Sequence, residues 1–286
     1  MNSSVSPTSS VDLREVAIAD VVGRVERALG VRLDGDAVVL KRRSVGAPSD
    51  RGTWVRIERR PCERVGTQGW GIECAAGLQG VAMPAWYAGL AWRERDGDAM
   101  WRADEIGLLP AAPLRKGGPL VADPLLTDSW WETMNQSLDA LAGTGTSRIA
   151  TPDTVEATQD HVLEVLGSAF HIDFDANISE WTAAHADLNW ANVTGPAECF
   201  LFDWEDWGLA PRGLDSATLW CSALAVPALA DRVLKEREGD LTSRGGMIIR
   251  LFALAKILAQ PDESDPLLAP ALRAAGLLLE SVRRGA

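Results

Sequence analysis

Residues 185–206 read HADLNWANVTGPAECFLFDWED, a stretch that crowds carboxylates and amides between short apolar runs. Asp187, Asn192 and Asp203 are its most chemically specific members. A carboxylate can hold a hydroxyl and take its proton while the oxygen attacks phosphorus. An amide oxygen and a second carboxylate are hard donors of the kind magnesium prefers. Transfer of a phosphoryl group from a nucleotide needs those groups, together with cations on the phosphates. NVT and CFLFD, joined by GPAE, read as a small hairpin that returns Asp203 to the side of Asn192. Singly, each aspartate is an ordinary turn or cap residue. The spaced set, flanked by apolar pieces, is what carries the chemical reading.

HADLNWAN followed by FLFDWED resembles the paired motifs of the aminoglycoside phosphotransferase family, and the following PRGLD fits the same pattern. That family has a protein-kinase-like fold, shared with choline and homoserine kinases. The resemblance is carried well by residues 120–235, and by the first 110 residues only through the order of elements. It implies that Asp187 is the catalytic base, with Asn192 and Asp203 as magnesium ligands. It implies that His185 supports the loop backbone and that Asp215 braces the loop from a helix start. It further implies a bilobal α+β fold, with a small antiparallel-sheet N-lobe and a mainly helical C-lobe. The activity that follows is transfer of the γ-phosphate of ATP or GTP, with Mg2+, to a hydroxyl of a small molecule.

The same resemblance calls for a lysine on the third strand and a glutamate on the next helix. By order of elements, Arg56 in TWVRIERRP takes the cation position and Glu73 in GWGIECAAGL is its partner. Lys41 in VVLKRR is the rival, one strand earlier. Arginine clamps phosphate as a fork and does not replace lysine freely. No GxGxxG occurs, and the phosphate loop expected between the first two strands is reduced to LDGD. These departures support a second reading, a nucleotide-binding pseudokinase or regulatory module with lost or weak transfer. An all-helical interaction protein is a third, and the strand-like first lobe argues against it.

The elements that must position these residues follow from periodicity. Residues 13–30 have the spacing of an amphipathic helix, with Gly30 as its cap. AVVLKRRSV and TWVRIERRP read as a strand pair joined by GAPSDRG. GWGIECAAGLQGV reads as a short helix, MPAWY as the way out of it, and AMWRADEIGLLP as another strand. The division is a tail at 1–12, an N-lobe at 13–116 and a C-lobe at 117–286, with GGPLVADP as the crossing. Helices dominate the C-lobe. In SWWETMNQSLDALAG, Ser129 and Glu132 have capping-box spacing, and TPDTVEATQDHVLEVLGSAF and three long apolar segments after residue 210 complete it.

The totals set limits. The chain has 286 residues and a net charge of −12, which argues against nucleic acid and suits a cationic acceptor or plain solubility. No segment has the length and apolarity of a membrane span. Four cysteines without CxxC spacing, and no export signal, point to free thiols in the cytoplasm. Only three histidines are present, too few for a histidine-rich metal site. Of the 12 tryptophans, Trp181, Trp190, Trp204 and Trp207 surround the acidic set. Packing is the simpler role for most. Trp190 and Glu205 are candidates for contact with substrate, through a ring face or a carboxylate.

Overall fold

A computed structural model describes residues 11–65, 70–95, 97–259 and 261–284. Most of the expected N-terminal tail, residues 1–10, lies outside the described residues. The chain divides into two compact units, one from Met1–Ala76 and Pro84–Leu109, the other from Gly77–Met83 and Pro110–Ala286.

The first unit runs α1 (Ala19–Leu29), β1 (Val39–Leu40), β2 (Ser44–Pro48), β3 (Thr53–Pro61), α2 (Cys62–Val65), α3 (Gly71–Ala75), β4 (Trp86–Arg93) and β5 (Ala99–Gly107). Its strands pair antiparallel in the order β1-β2-β3-β5-β4. Alternation along β3 sends Val55 and Ile57 to one face and Arg56 and Glu58 to the other. The apolar face closes on Val25, with Val45, Trp101 and Ala103 from the neighbouring strands. Each fully buried valine or isoleucine there contributes about 1.5–3 kcal/mol.

Several expectations change here. The helix expected over 13–30 begins at Ala19, because the Leu13 N–H donates to the Arg42 carbonyl (2.8 Å) and its side chain enters the core separately. Gly30 does cap it, at φ 67°, a left-handed conformation that glycine adopts without steric cost. AVVLKRRSV is two strands rather than one. They turn through Lys41–Arg43, so Lys41 sits in an exposed turn and not in a strand. That turn, rather than LDGD, joins the first two strands. β4 was not expected at all.

The second unit contains α4 (Asp128–Ala142), α5 (Gln159–Ala169), β6 (Trp181–Ala184), β7 (Gly208–Pro211), α6 (Leu214–Ser222), α7 (Pro227–Glu236), α8 (Glu238–Leu241), α9 (Arg244–Leu258) and α10 (Leu268–Arg284). α9 is its centre. Ile248, Ile249, Leu251, Phe252 and Leu254 are all buried, and α5, α6, α8 and α10 surround it. The cap of α4 is Thr127, whose hydroxyl accepts from the Trp130 N–H (3.2 Å), not Ser129. Among the described residues no helix is long and apolar enough to cross a membrane. All four cysteines are free thiols.

Two nested pairings dictate the geometry of the quoted stretch. β6 and β7 are antiparallel with Ala184 opposite Gly208, so His185 and Trp207 leave the ladder side by side. Within that frame Val193 bridges Leu201, which confirms the expected hairpin. Leu209 of β7 bridges Ile149, and Gly208 beside it lies tight against the Arg148–Ala150 segment. A Cβ there would lie 2.5 Å from the Ala150 nitrogen and 2.6 Å from the Ile149 carbonyl carbon. Gly208→Ala is therefore expected to destabilise by about 1–3 kcal/mol through overpacking. Thermal unfolding checks this, with Gly145→Ala, which meets open space, as the neutral control.

Candidate functional site

The loop begins where β6 ends. Ala186 is left-handed at φ 70°, an unfavourable conformation for a residue with a Cβ. One buried carboxylate holds it there. Asp215, in the first turn of α6, accepts from the His185 N–H (2.7 Å) and the Ala186 N–H (2.8 Å). Burial pushes the Asp215 carboxyl above its ordinary value, and those two bonds pull it back. Gly213, at φ 83°, lets the chain enter α6 close against the Asp240 carbonyl. His185 is fully buried. Its Nε2 lies 3.0 Å from the Phe202 carbonyl, so Nε2 carries the donated proton. Its ring packs 4.6 Å from that of Trp204.

Asp187 is then fixed by two amides. Asn189 Nδ2 donates to its Oδ1 (3.1 Å), and Asn192 Nδ2 donates to its Oδ2 and its backbone oxygen (both 2.8 Å). These bonds leave Asn192 Oδ1 as the oxygen open to a cation. The Asn192 carbonyl accepts from the Phe202 N–H (3.0 Å), which sets Asp203, one residue on, beside it. Asp203 is itself left-handed at φ 71°. Burial raises the Asp187 carboxyl to about 6, and the Asp203 and Asp206 charges add to the rise against His185 and the Asn192 bond. The two neighbouring carboxylates are thus within electrostatic reach of Asp187.

The segment after Asp203 is tied down from the α4–α5 connection. Arg148 donates to the Glu205 and Trp207 carbonyls (2.6 Å each), and Thr151 Oγ1 donates to Asp206 Oδ1 (2.9 Å). Asp206 was not among the expected site residues. Its signal was weak, an acid directly after DWE. Asp187 and Ala186 also border a hollow of about 180 Å3 walled by α6 and α9.

The donor set fits one kind of metal use. Among the described residues no group of three or more His, Cys, Asp or Glu side chains is placed to hold a metal. Asn192 Oδ1 and the Asp203 carboxylate are two hard oxygens, and magnesium commonly takes one or two protein ligands with phosphate oxygens and water completing its shell.

Other expectations are redistributed. Trp190, a candidate for substrate contact, is 2% exposed and stacks on Trp130 at 6.2 Å with Trp131 edge-on. It is a core residue. Trp204 is likewise buried, its indole N–H donating to the Leu201 carbonyl (3.0 Å). In the first unit Glu73 pairs with Arg102 of β5 (3.1 Å) and not with Arg56, which lies 3.6 Å from Glu58. Arg102 is buried, bonded to Asp104 and set over the Trp70 ring. Sheet order explains the change, because β5 is the neighbour of β3 and brings Arg102 opposite Glu58.

The raised Asp187 carboxyl has a stability consequence. Its folded value of about 6 lies above the ordinary 3.8, so the folded chain keeps a proton that the unfolded chain has lost. Stability held below pH 4 is given up as pH climbs through 6. Without metal or nucleotide, the melting temperature of Asp187→Asn relative to the parent should rise by a few degrees between pH 4 and pH 7–8, on top of a pH-independent cost for the one amide bond that Asn cannot accept. Melting curves across that range test it.

No family model matches the sequence, and no curated protein matches it. Solved structures do. The apo form of a thermostable mutant of aminoglycoside phosphotransferase APH(4)-Ia aligns with TM-score 0.55 and 12% identity, over 93% of this chain and 99% of that one. The GDP and kanamycin complex of APH(2")-IIia gives 0.53 and 9%, over 94% and 98%. Amicoumacin kinase hAmiN in complex with AMP-PNP, Ca2+ and Ami gives 0.51 and 11%, over 91% and 93%. Together with the five-stranded sheet and the helical second unit, this likeness establishes that the chain has the protein-kinase-like fold of the aminoglycoside phosphotransferases.

Proposed function

We propose that the protein is a small-molecule kinase that transfers the γ-phosphate of ATP or GTP to an alcohol. One observation carries the reading. A half-buried Asp187 with a raised carboxyl, the Asn192 amide and the Asp203 carboxylate lie on two adjoining loops, each with one strained residue, Ala186 and Asp203. The fold adds support, since two of the similar structures hold a nucleotide, AMP-PNP in one and GDP in the other.

In this reading Asp187 orients the acceptor hydroxyl and receives its proton. The alcohol oxygen bonds to the γ-phosphorus as the bond from that phosphorus to the nucleoside diphosphate breaks, and the diphosphate leaves. Asn192 Oδ1 and Asp203 would hold Mg2+, which when bound offsets charge on the phosphates. Asp215 and His185 position the loop and take no proton from substrate. Arg56 and Lys41 remain candidates for phosphate contact. The second reading, nucleotide binding without transfer, draws on one feature. The β1–β2 connection is the short, glycine-free turn Lys41–Arg43.

Mutagenesis separates the two. Asp187→Ala should lower transfer by about 10²–10⁴-fold while nucleotide affinity stays nearly constant. Loss of binding alone would make Asp187 structural. Asp203→Ala should instead weaken nucleotide binding only when magnesium is present, and binding indifferent to magnesium would remove that role. Parent activity should fall on the acid side as Asp187 takes up its proton, and bound Mg2+ should move the inflection below the value of about 6 that the metal-free carboxyl has. Binding of nucleotide with no transfer to any of a broad panel of alcohols would favour the pseudokinase.

A further inference from the structure

The hairpin between Asn192 and Asp203 is gripped from outside as well as from within. Its own ladder is irregular. The Thr194 N–H donates to the Phe200 carbonyl (3.0 Å), but the Phe200 N–H turns to the Thr194 hydroxyl (2.9 Å). The Thr194 carbonyl is thereby released, and the Trp130 indole N–H of α4 donates to it (2.8 Å). Thr194, two residues after Asn192, is fully buried, and so is Trp130.

The outer edges of the hairpin are bonded too. On the Asn192 side the Leu114 N–H donates to the Val193 carbonyl (2.9 Å), and the Gly195 N–H to the Ala112 carbonyl (3.2 Å). On the Asp203 side the Leu201 N–H donates to the Ala82 carbonyl (2.8 Å). Ala82 is held in turn, its N–H donating to the Ser137 hydroxyl of α4 (3.0 Å). Ser137 is buried, and its own proton goes to the Thr133 carbonyl (2.7 Å), so its oxygen serves as the acceptor for Ala82. All of these residues belong to the second unit.

Trp130 and Ser137 thus hold the first and third of three lengths of chain lying side by side, those of Thr194, Leu201 and Ala82. Two spacings between paired extended chains come to about 9.6 Å. The step from Trp130 to Ser137 rises about 10.5 Å along a helix and returns to nearly the same face. The helix matches what it spans. It is also firmly seated, capped by Thr127 and packed through Trp131, Met134, Leu138 and Leu141. Asn192 precedes the first length and Asp203 follows the second. The spacing of their oxygens is therefore inherited from this grip.

We propose that α4 sets the separation of the two cation ligands, with Trp130 and Ser137 as positioning residues. Trp130 acts through Thr194, and Ser137 acts through Ala82 and Leu201. This rests on the kinase reading for a cation at Asn192 and Asp203. Magnesium holds its ligands at about 2.0–2.1 Å in near-octahedral geometry, so a small change in spacing weakens its binding.

The test uses the full chain. Affinity for ATP and for GTP is measured with MgCl2 and again with EDTA, alongside the melting temperature of the ligand-free protein. Ser137→Ala removes the acceptor of the Ala82 N–H. Trp130→Phe removes the indole donor and keeps a ring in the core. Each should lower the ratio of affinity in magnesium to affinity in EDTA by about tenfold, with the EDTA value within about twofold of the parent. Ser137→Thr keeps the hydroxyl and should restore the ratio. Ser243→Ala is the control. It removes the cap of α9, where the Ser243 hydroxyl accepts from the Gly246 N–H (3.0 Å), and should lower the melting temperature with the ratio unchanged.

Parent-like ratios in both variants, with only the melting temperature lowered, would make Trp130 and Ser137 purely structural. That result overturns the inference and leaves the kinase reading standing. An equal fall of the ratio in Ser243→Ala would do the same, because general destabilisation would account for it. A parent that binds no nucleotide, or binds it without regard to magnesium, would sink the cation site of the kinase reading and this inference with it. Where one of the two variants does not fold, the other decides.

Discussion

The candidate site depends on one buried carboxylate. Asp215 accepts two consecutive backbone N–H groups, from His185 and Ala186, and so holds open a turn that Ala186 would not adopt alone. A side chain rather than a ladder must do this, because β6 has ended and the chain is reversing. Ionised carboxylates make hydrogen bonds roughly twice as strong as neutral acceptors do, which offsets part of the cost of burial. Removing the group would leave two buried donors without partners, at about 1–3 kcal/mol each. Asp187 is the next residue, so its direction is inherited from that brace.

The opposing half of the site is held by independent means. The β6–β7 pairing sets the roots of the two loops side by side, and the Val193–Leu201 bridge sets their far ends. Between these clamps the Asn192 carbonyl takes the Phe202 N–H and His185 Nε2 reaches the Phe202 carbonyl. Phe202 is thus bonded to both ends of the first loop through its own backbone. Asp203 follows directly, and its left-handed conformation turns the chain toward Asp206 and the Arg148 anchor. The strain at Ala186 and Asp203 is sustained because neighbouring bonds over-determine both positions.

How far the sequence was legible varies with how local the deciding interaction was. The proximity of Asp187, Asn192 and Asp203 could be read because it is fixed by a loop and a hairpin close in the chain. The role of Asp215 could be read only through resemblance, since its partners lie 29 and 30 residues away. β4 was hidden because both of its faces are apolar. Tyr87, Gly89 and Ala91 point outward and blur the alternation that Trp86, Ala88, Leu90 and Trp92 would otherwise show. Glu73 was assigned the wrong partner because sequence order does not give sheet order. Trp190 was ambiguous for a similar reason, since the rings that bury it come from α4, far upstream.

Net charge was the least informative property for function. A total of −12 suggests a cation-attracting surface, but several acids around Asp187 are already engaged. Asp215 accepts two backbone N–H groups, Asp206 accepts from Thr151, and the largely exposed Asp153 pairs with Lys256. What remains for a ligand's charge is set by these local bonds and not by the sum over the chain.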